Sequence, residues 1–214
     1  MEKISDGVYH LPEVVGGPTI LLAEHVALVD TGVPGSEDAI IAALAALGRS
    51  ASDVSDIVLT HADGDHVGSL MALVARPDVD ATVWAGAEEA DVIEGKAPGR
   101  GGDVRRSGAV DRRFTPGETL PLHGGIETID TRGHTRGHAS LFLPSKRILI
   151  AGDALNNRDG LTGSAPEHTA DPAQAPEAVR TLAALRPTSI VFGHGPSIVG
   201  GAAVILDALN ESLD

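Results

Sequence analysis

The chain has 214 residues, no cysteine, and 16 Lys+Arg against 30 Asp+Glu, for a formal net charge of −14. That length can bury a substantial core, and the missing cysteine excludes a disulfide framework, a zinc ribbon and a thiolate nucleophile. The negative charge opposes a phosphate backbone as partner, and no apolar run approaches the roughly 20 residues of a membrane span. Met1–Pro12 has no basic start followed by an apolar stretch, which predicts no signal peptide. The expectation is a cytoplasmic protein that binds a small molecule, with neither nucleic acid nor membrane as partner. A homo-oligomer stays open.

With one Trp, one Tyr and three Phe, the core falls to Ala, Val, Leu and Ile. Pro18–Leu22 and Val26–Val29 read as the strands of a hairpin, and Asp30-Thr31-Gly32 as the turn that ends the second. Ser36–Leu47 predicts a helix, with Ser36 as N-cap, Ile40, Ile41, Leu44 and Leu47 on its apolar face and Gly48 as stop. A buried strand follows at Ile57-Val58-Leu59, then a dense polar stretch from Thr60 to His66. A helix is expected over Val67–Ala75, a strand over Ala81–Trp84 and a helix over Ala87–Ile93.

Gly95 to Gly117 lacks periodicity and carries Arg100, Arg105, Arg106, Arg112 and Arg113. It reads as a long surface loop, either a binding element or a plain insertion, whose arginines face an acidic substrate or neutralise local carboxylates. Strands return around Leu120, Ile126–Ile129, Ala139–Leu143, Ile148–Ala151 and Ser189–Phe192. Helices are expected from Asp171-Pro172, with Val179, Leu182 and Leu185 on one face, and over Ala202–Leu213. Two batches of strands interleaved with helices predict an α/β chain, an αββα four-layer sandwich with two sheets face to face and helices outside. Residues 1–214 read as one domain.

Nine histidines are unevenly placed. His61-Ala62-Asp63-Gly64-Asp65-His66 packs four metal-ligand types directly after an apolar strand. A strand end fixes the backbone, and the turn beyond it lets side chains converge. Gly133-His134-Thr135-Arg136-Gly137-His138, Gly152-Asp153 and Gly193-His194-Gly195 repeat that device, a His or Asp beside glycine at a strand end. His10, His25 and His123 read as solvent-facing turn residues.

The series His61-x-Asp63-x-Asp65-His66, His134, Asp153, His194, together with the Asp30-Thr31-Gly32 turn, resembles the metallo-β-lactamase fold superfamily of metal-dependent hydrolases. The resemblance runs from about residue 8 to residue 205. It implies two mixed sheets and two divalent metal ions: His61, Asp63 and His134 on one, Asp65, His66 and His194 on the other, with Asp153 bridging. It also implies a metal-bridging hydroxide as nucleophile on a small ester, lactone or thioester. Asp65 then becomes the catalytic proton acceptor. His138, Asp30 and Thr31 are expected to support the ligands, and His168 and Arg158 to lie where substrate approaches. The superfamily pattern usually has histidine at position 63. Aspartate there lowers the charge of a filled site and offers a harder donor, so iron or manganese competes with the usual zinc.

Alternatives come from other classes. Iron-dependent oxidoreductases of the superfamily, sulfur dioxygenase-like or flavodiiron-like, and a non-catalytic metal-binding sensor share parts of the pattern. The thioesterases that cleave glutathione thioesters match in motif order. They usually carry a C-terminal helical region, where the 20 residues after His194 predict one helix.

Overall fold

The computed structural model describes residues 1–103 and 105–213, so Val104, inside the expected 95–117 loop, and Asp214 lie outside the described residues. The chain divides into two compact units, Met1–Phe114 and Thr115–Asp214. Among the described residues no helix is long and apolar enough to cross a membrane.

The first unit runs β1 (Glu2–Ser5), β2 (Val8–His10), β3 (Thr19–Leu22), β4 (Val26–Val29), α1 (Glu37–Ala46), β5 (Val54–Leu59), α2 (Gly64–Val67), α3 (Leu70–Val74), β6 (Thr82–Gly86), α4 (Ala87–Ile93) and β7 (Arg112–Phe114). The strands form one seven-stranded sheet in sequence order. β1 to β4 pair antiparallel and β4 to β7 parallel, so the sheet is mixed. Leu28, Ile57 and Val83 align across β4, β5 and β6. They pack with Ile40 and Leu44 of α1 and Leu70 and Leu73 of α3 into one apolar core. Burying such side chains is the main favourable term in holding the unit together.

The second unit runs β8 (Thr119–Leu120), β9 (Ile126–Asp130), β10 (Ala139–Leu143), β11 (Ile148–Ile150), β12 (Leu155–Asn156), β13 (Thr162–Gly163), α5 (Ala175–Ala184), β14 (Ser189–Val191), β15 (Ile198–Val199) and α6 (Ala202–Glu211). Its six-stranded sheet has the order β15-β14-β11-β10-β9-β8. Only β11 and β14 pair parallel; the other neighbours are antiparallel. Phe142, Leu149, Ile190 and Phe192 pack against Val179 and Leu182 of α5 and Leu206 of α6. Each unit thus carries one mixed sheet together with its own helices, as the resemblance implies.

Several expectations are corrected. The 67–75 helix is two short helices broken at Gly68-Ser69, because the Gly68 N–H turns to the Gly32 carbonyl at 2.9 Å. The Ser36 side chain makes no capping bond to α1. The 95–117 segment is not all loop: Glu94 and Arg106 form an isolated bridge, and Arg112–Phe114 is the sheet's edge strand. Its charged pair faces solvent, as edge strands favour, so only Phe114 is buried. α5 begins at Ala175, four residues after Asp171, which instead makes a turn with Gln174. His10 is buried, because the alternation of β2 turns it inward with Val8, and its Nδ1 lies 3.9 Å from Glu2 Oε2.

Candidate metal centre

Parallel strands bring their C-terminal ends to one edge of a sheet, and ligands collect there. In the first unit β4, β5 and β6 end side by side, followed by Asp30, by Thr60-His61 and by α4 respectively. Asp30 stands at φ 58°, a left-handed conformation that a non-glycine residue rarely takes. The turn aims its buried carboxylate at three donors. Oδ1 accepts the Thr60 N–H at 2.9 Å, and Oδ2 accepts the Thr60 hydroxyl at 2.7 Å and His66 Nδ1 at 2.8 Å.

Those bonds decide two tautomers. A carboxylate only accepts, so His66 Nδ1 carries the proton and Nε2 is the basic nitrogen. The Thr60 hydroxyl gives its single proton to Asp30, so at 3.0 Å from His61 Nδ1 it must accept, and His61 Nε2 is basic as well. Both rings are fully buried, with centroids 4.0 Å apart. Asp63 Oδ2 lies 3.8 Å from His61 Nε2, and Asp65 Oδ2 lies 3.9 Å from His66 Nε2.

The motif backbone is clamped from three sides. The buried Glu89 carboxylate of α4 accepts the Ala62 N–H at 2.7 Å. Thr31 gives its N–H, at 2.7 Å, and its hydroxyl, at 2.9 Å, to the His66 carbonyl. Gly16, at φ 86°, presses on Asp65: a Cβ there would sit 1.9 Å from the Asp65 carbonyl oxygen. Asp63 occupies the N-cap position of α2, but its side chain makes no capping bond. Its Oδ2 instead accepts Arg100 Nε at 3.0 Å and Nη2 at 2.7 Å. Two further arginines of that segment pair locally: Arg105 with Asp103, and Arg113 with Asp91 and Glu94. Glu94 is held below its ordinary pKa by its hydrogen bond from Lys96, with Arg113 adding to it.

In the second unit Asp153 follows β11 and His194 follows β14, the two parallel neighbours, while His134 and His138 lie in the turn between β9 and β10. Asp153 Oδ2 is 3.5 Å from His134 Nε2 and 3.3 Å from His194 Nε2. His134 is set by hydroxyls. Thr169 donates to the Ala165 carbonyl at 2.6 Å, so Ser164 donates to Thr169 at 2.8 Å and accepts His134 Nδ1–H at 3.0 Å. Its Nε2 is therefore basic too.

His138 is engaged at both nitrogens. Nε2 accepts the Asp153 N–H at 3.0 Å, and Nδ1 donates to Thr131 at 2.8 Å. The relay continues through Ser140 to the Ala151 carbonyl. His138 thus holds the Asp153 backbone.

His194 is the exception. Arg158, which has no acceptor, lies 2.8 Å from its Nδ1, so a neutral His194 carries its proton on Nε2. Gly195 lets the chain pass Asn157, whose carbonyl carbon would lie 2.3 Å from a Cβ there. His168 is exposed at the end of a 3-10 turn, Pro166–His168. The adjoining backbone is pinned to the ligand turn by Ala170 N–H to His134 O at 3.0 Å.

The donor set fits divalent metal ions. Nitrogen and carboxylate oxygen are zinc, iron and manganese ligands, and a histidine ligand ordinarily gives its other ring N–H to a fixed acceptor. His61, His66 and His134 do so. Ligands bound at about 2.0–2.1 Å in a tetrahedron stand roughly 3.3 Å apart, close to the Asp153–His194 spacing within its unit. Sequence reasoning missed Thr60, Glu89, Gly16, Thr131, Ser140, Ser164 and Thr169, and it named Arg100 without its carboxylate partner, Asp63. Thr60 adjoins the motif, whereas nothing local marks Ser164 as the partner of His134.

Residues 15–194 match the Metallo-beta-lactamase superfamily. A probable metallo-hydrolase of Bacillus subtilis (strain 168), YflN, is 29% identical over 203 residues, covering 81% of this chain and 76% of that protein. A hydroxyacylglutathione hydrolase of Rhodobacter capsulatus is 30% identical over 149 residues, 68% of this chain and 50% of its own length. A metallo-beta-lactamase family protein of Thermus thermophilus superposes with a TM-score of 0.74 at 23% identity, covering 99% of this chain and 80% of that one. The chain belongs to the metallo-β-lactamase superfamily and is a metal-dependent hydrolase.

Proposed function

We propose that the two ligand sets serve one dinuclear centre: His61, Asp63 and His134 for one ion, Asp65, His66 and His194 for the other, and Asp153 shared. The observation that carries this reading is the hydrogen-bond relay. Asp30 through Thr60, Asp30 directly, and Ser164 each fix an Nδ1, so His61, His66 and His134 all present a basic Nε2, the ligand tautomer. A neutral imidazole can carry its proton on either ring nitrogen. Setting three alike is what metal ligation demands.

When bound, such ions acidify water toward neutrality and polarise a carbonyl. The chain's own residues do the rest. Asp65, with 29% of its side chain exposed, is the ligand carboxylate best placed to take a proton from water and return it to the leaving group. Asp153 is steadied through its N–H by His138, which keeps its carboxylate from swinging as charge develops. For His194 to ligate through Nε2, its Nδ1 must gain the proton and Arg158 must turn away, which would release a cation for an anionic group of the substrate.

The substrate class we assign is a small ester, lactone or thioester, supported by the hydrolase relatives, of which the hydroxyacylglutathione hydrolase is named for a thioester-cleaving reaction. Asp63 adds a hard oxygen donor, so iron or manganese is expected to compete with zinc. The test is turnover of an ester, lactone and thioester panel before and after chelation, with oxygen consumption followed in parallel. Hydrolysis that is lost on chelation and restored by metal, without oxygen uptake, supports the reading. Oxygen-dependent turnover, or binding without turnover, refutes it.

A further inference from the structure

Asp63 is the residue that departs from the superfamily pattern, and its carboxylate is held by an arginine from a distant segment of the first unit. The two Arg100 donors, Nε and Nη2, converge on Oδ2, the same oxygen that lies 3.8 Å from His61 Nε2. A carboxylate oxygen has two lone-pair directions, and two N–H groups at 3.0 and 2.7 Å use both. The contact is partly shielded, with 15% of the Asp63 side chain and 28% of the Arg100 side chain exposed, so solvent does not fully screen it. Histidine at position 63 would not attract a guanidinium in this way.

We propose that Arg100 is a built-in competitor for Asp63: a cation must displace its guanidinium from Oδ2 to bind there, which weakens the position served by His61 and Asp63. Loss of the charge-assisted pair is a cost that metal binding at this position carries in addition to desolvation of the ion. Occupancy of the weakened position is thereby set by ambient metal concentration. Arg100 acts on Asp63 and is a positioning residue, not a catalytic one. This inference rests on the dinuclear reading above.

The test is competition titration of metal-free protein with zinc and with manganese against a chromophoric chelator. It compares wild type, Arg100→Met, Arg100→Gln, Asp63→Asn and the Asp63→Asn/Arg100→Met double variant, each checked for native circular dichroism. Wild type is expected to bind two ions with unequal affinity, and Asp63→Asn to lose the weaker step. Both Arg100 variants should tighten that step by about tenfold, the scale of a charge-assisted hydrogen bond, and leave the stronger step unchanged. In the double variant Arg100→Met should have no effect. If Asp63→Asn removes the weaker step while neither Arg100 variant tightens it, competition is overturned and the two-ion reading stands. If wild type binds one ion, or Asp63→Asn leaves both steps intact, the dinuclear reading falls and the inference with it.

Discussion

The two ligand sets are built by different means. In the first unit four ligand-type residues lie within six positions, and buried carboxylates brace them: Asp30 on His66 and Thr60, Glu89 on Ala62. In the second unit three residues from separate turns are braced mainly by hydroxyls and an imidazole: Ser164 and Thr169 behind His134, His138 behind Asp153. A carboxylate partner raises the basicity of the imidazole it holds, whereas a neutral hydroxyl chiefly fixes direction. The first set is therefore the stronger donor and the more brittle, since one aspartate governs two rings. The second spreads its support over several weaker bonds.

Breaking that contrast begins with Asp30. Asp30→Asn should lower metal affinity or kcat/KM by about 100-fold, because an amide NH2 facing His66 Nδ1 inverts its tautomer and Thr60 loses its acceptor. Isothermal titration with zinc checks it. Ser164→Ala in the second unit should cost about tenfold by the same titration, since His134 loses one directional partner and no charge. An Asp30 effect no larger than the Ser164 effect would remove the distinction between the two kinds of brace.

Glycine contacts sharpen the contrast at the backbone. Gly16→Ala should destabilise the first unit by about 1–3 kcal/mol, because the chain must move off the Asp65 carbonyl and leave its left-handed conformation. Thermal unfolding with and without metal reads this, and the loss should be larger with metal present, where Asp65 is held. Smallest is Glu89→Gln, which keeps an acceptor for the Ala62 N–H and should cost less than about tenfold in metal affinity, whereas Glu89→Ala should exceed it.

Legibility in the sequence follows the same division. His61, Asp63, Asp65 and His66 announce themselves because a strand end and one helical turn suffice to gather them. The apolar runs of β4, β5, β10, β11 and β14 are equally plain, since strands buried on both faces read as continuous hydrophobic stretches. Arg112–Phe114 is not, because an edge strand needs only one buried side chain and its arginines look like loop. His10 misleads for a related reason: its polarity suggests solvent, while the two-residue period of β2 turns it inward. Ser164 and Thr169 are invisible, and Arg100 shows its charge but not its partner, because a hydroxyl or guanidinium acquires its role only when the fold carries it to a partner far along the chain.

The most direct test of the central claim is elemental metal analysis of protein purified without chelator, comparing wild type with His66→Ala from the first unit and His194→Ala from the second. A shared dinuclear centre predicts two ions per chain in wild type and a loss of at least one on substitution in either unit. A full complement retained by the His194→Ala protein would contradict it.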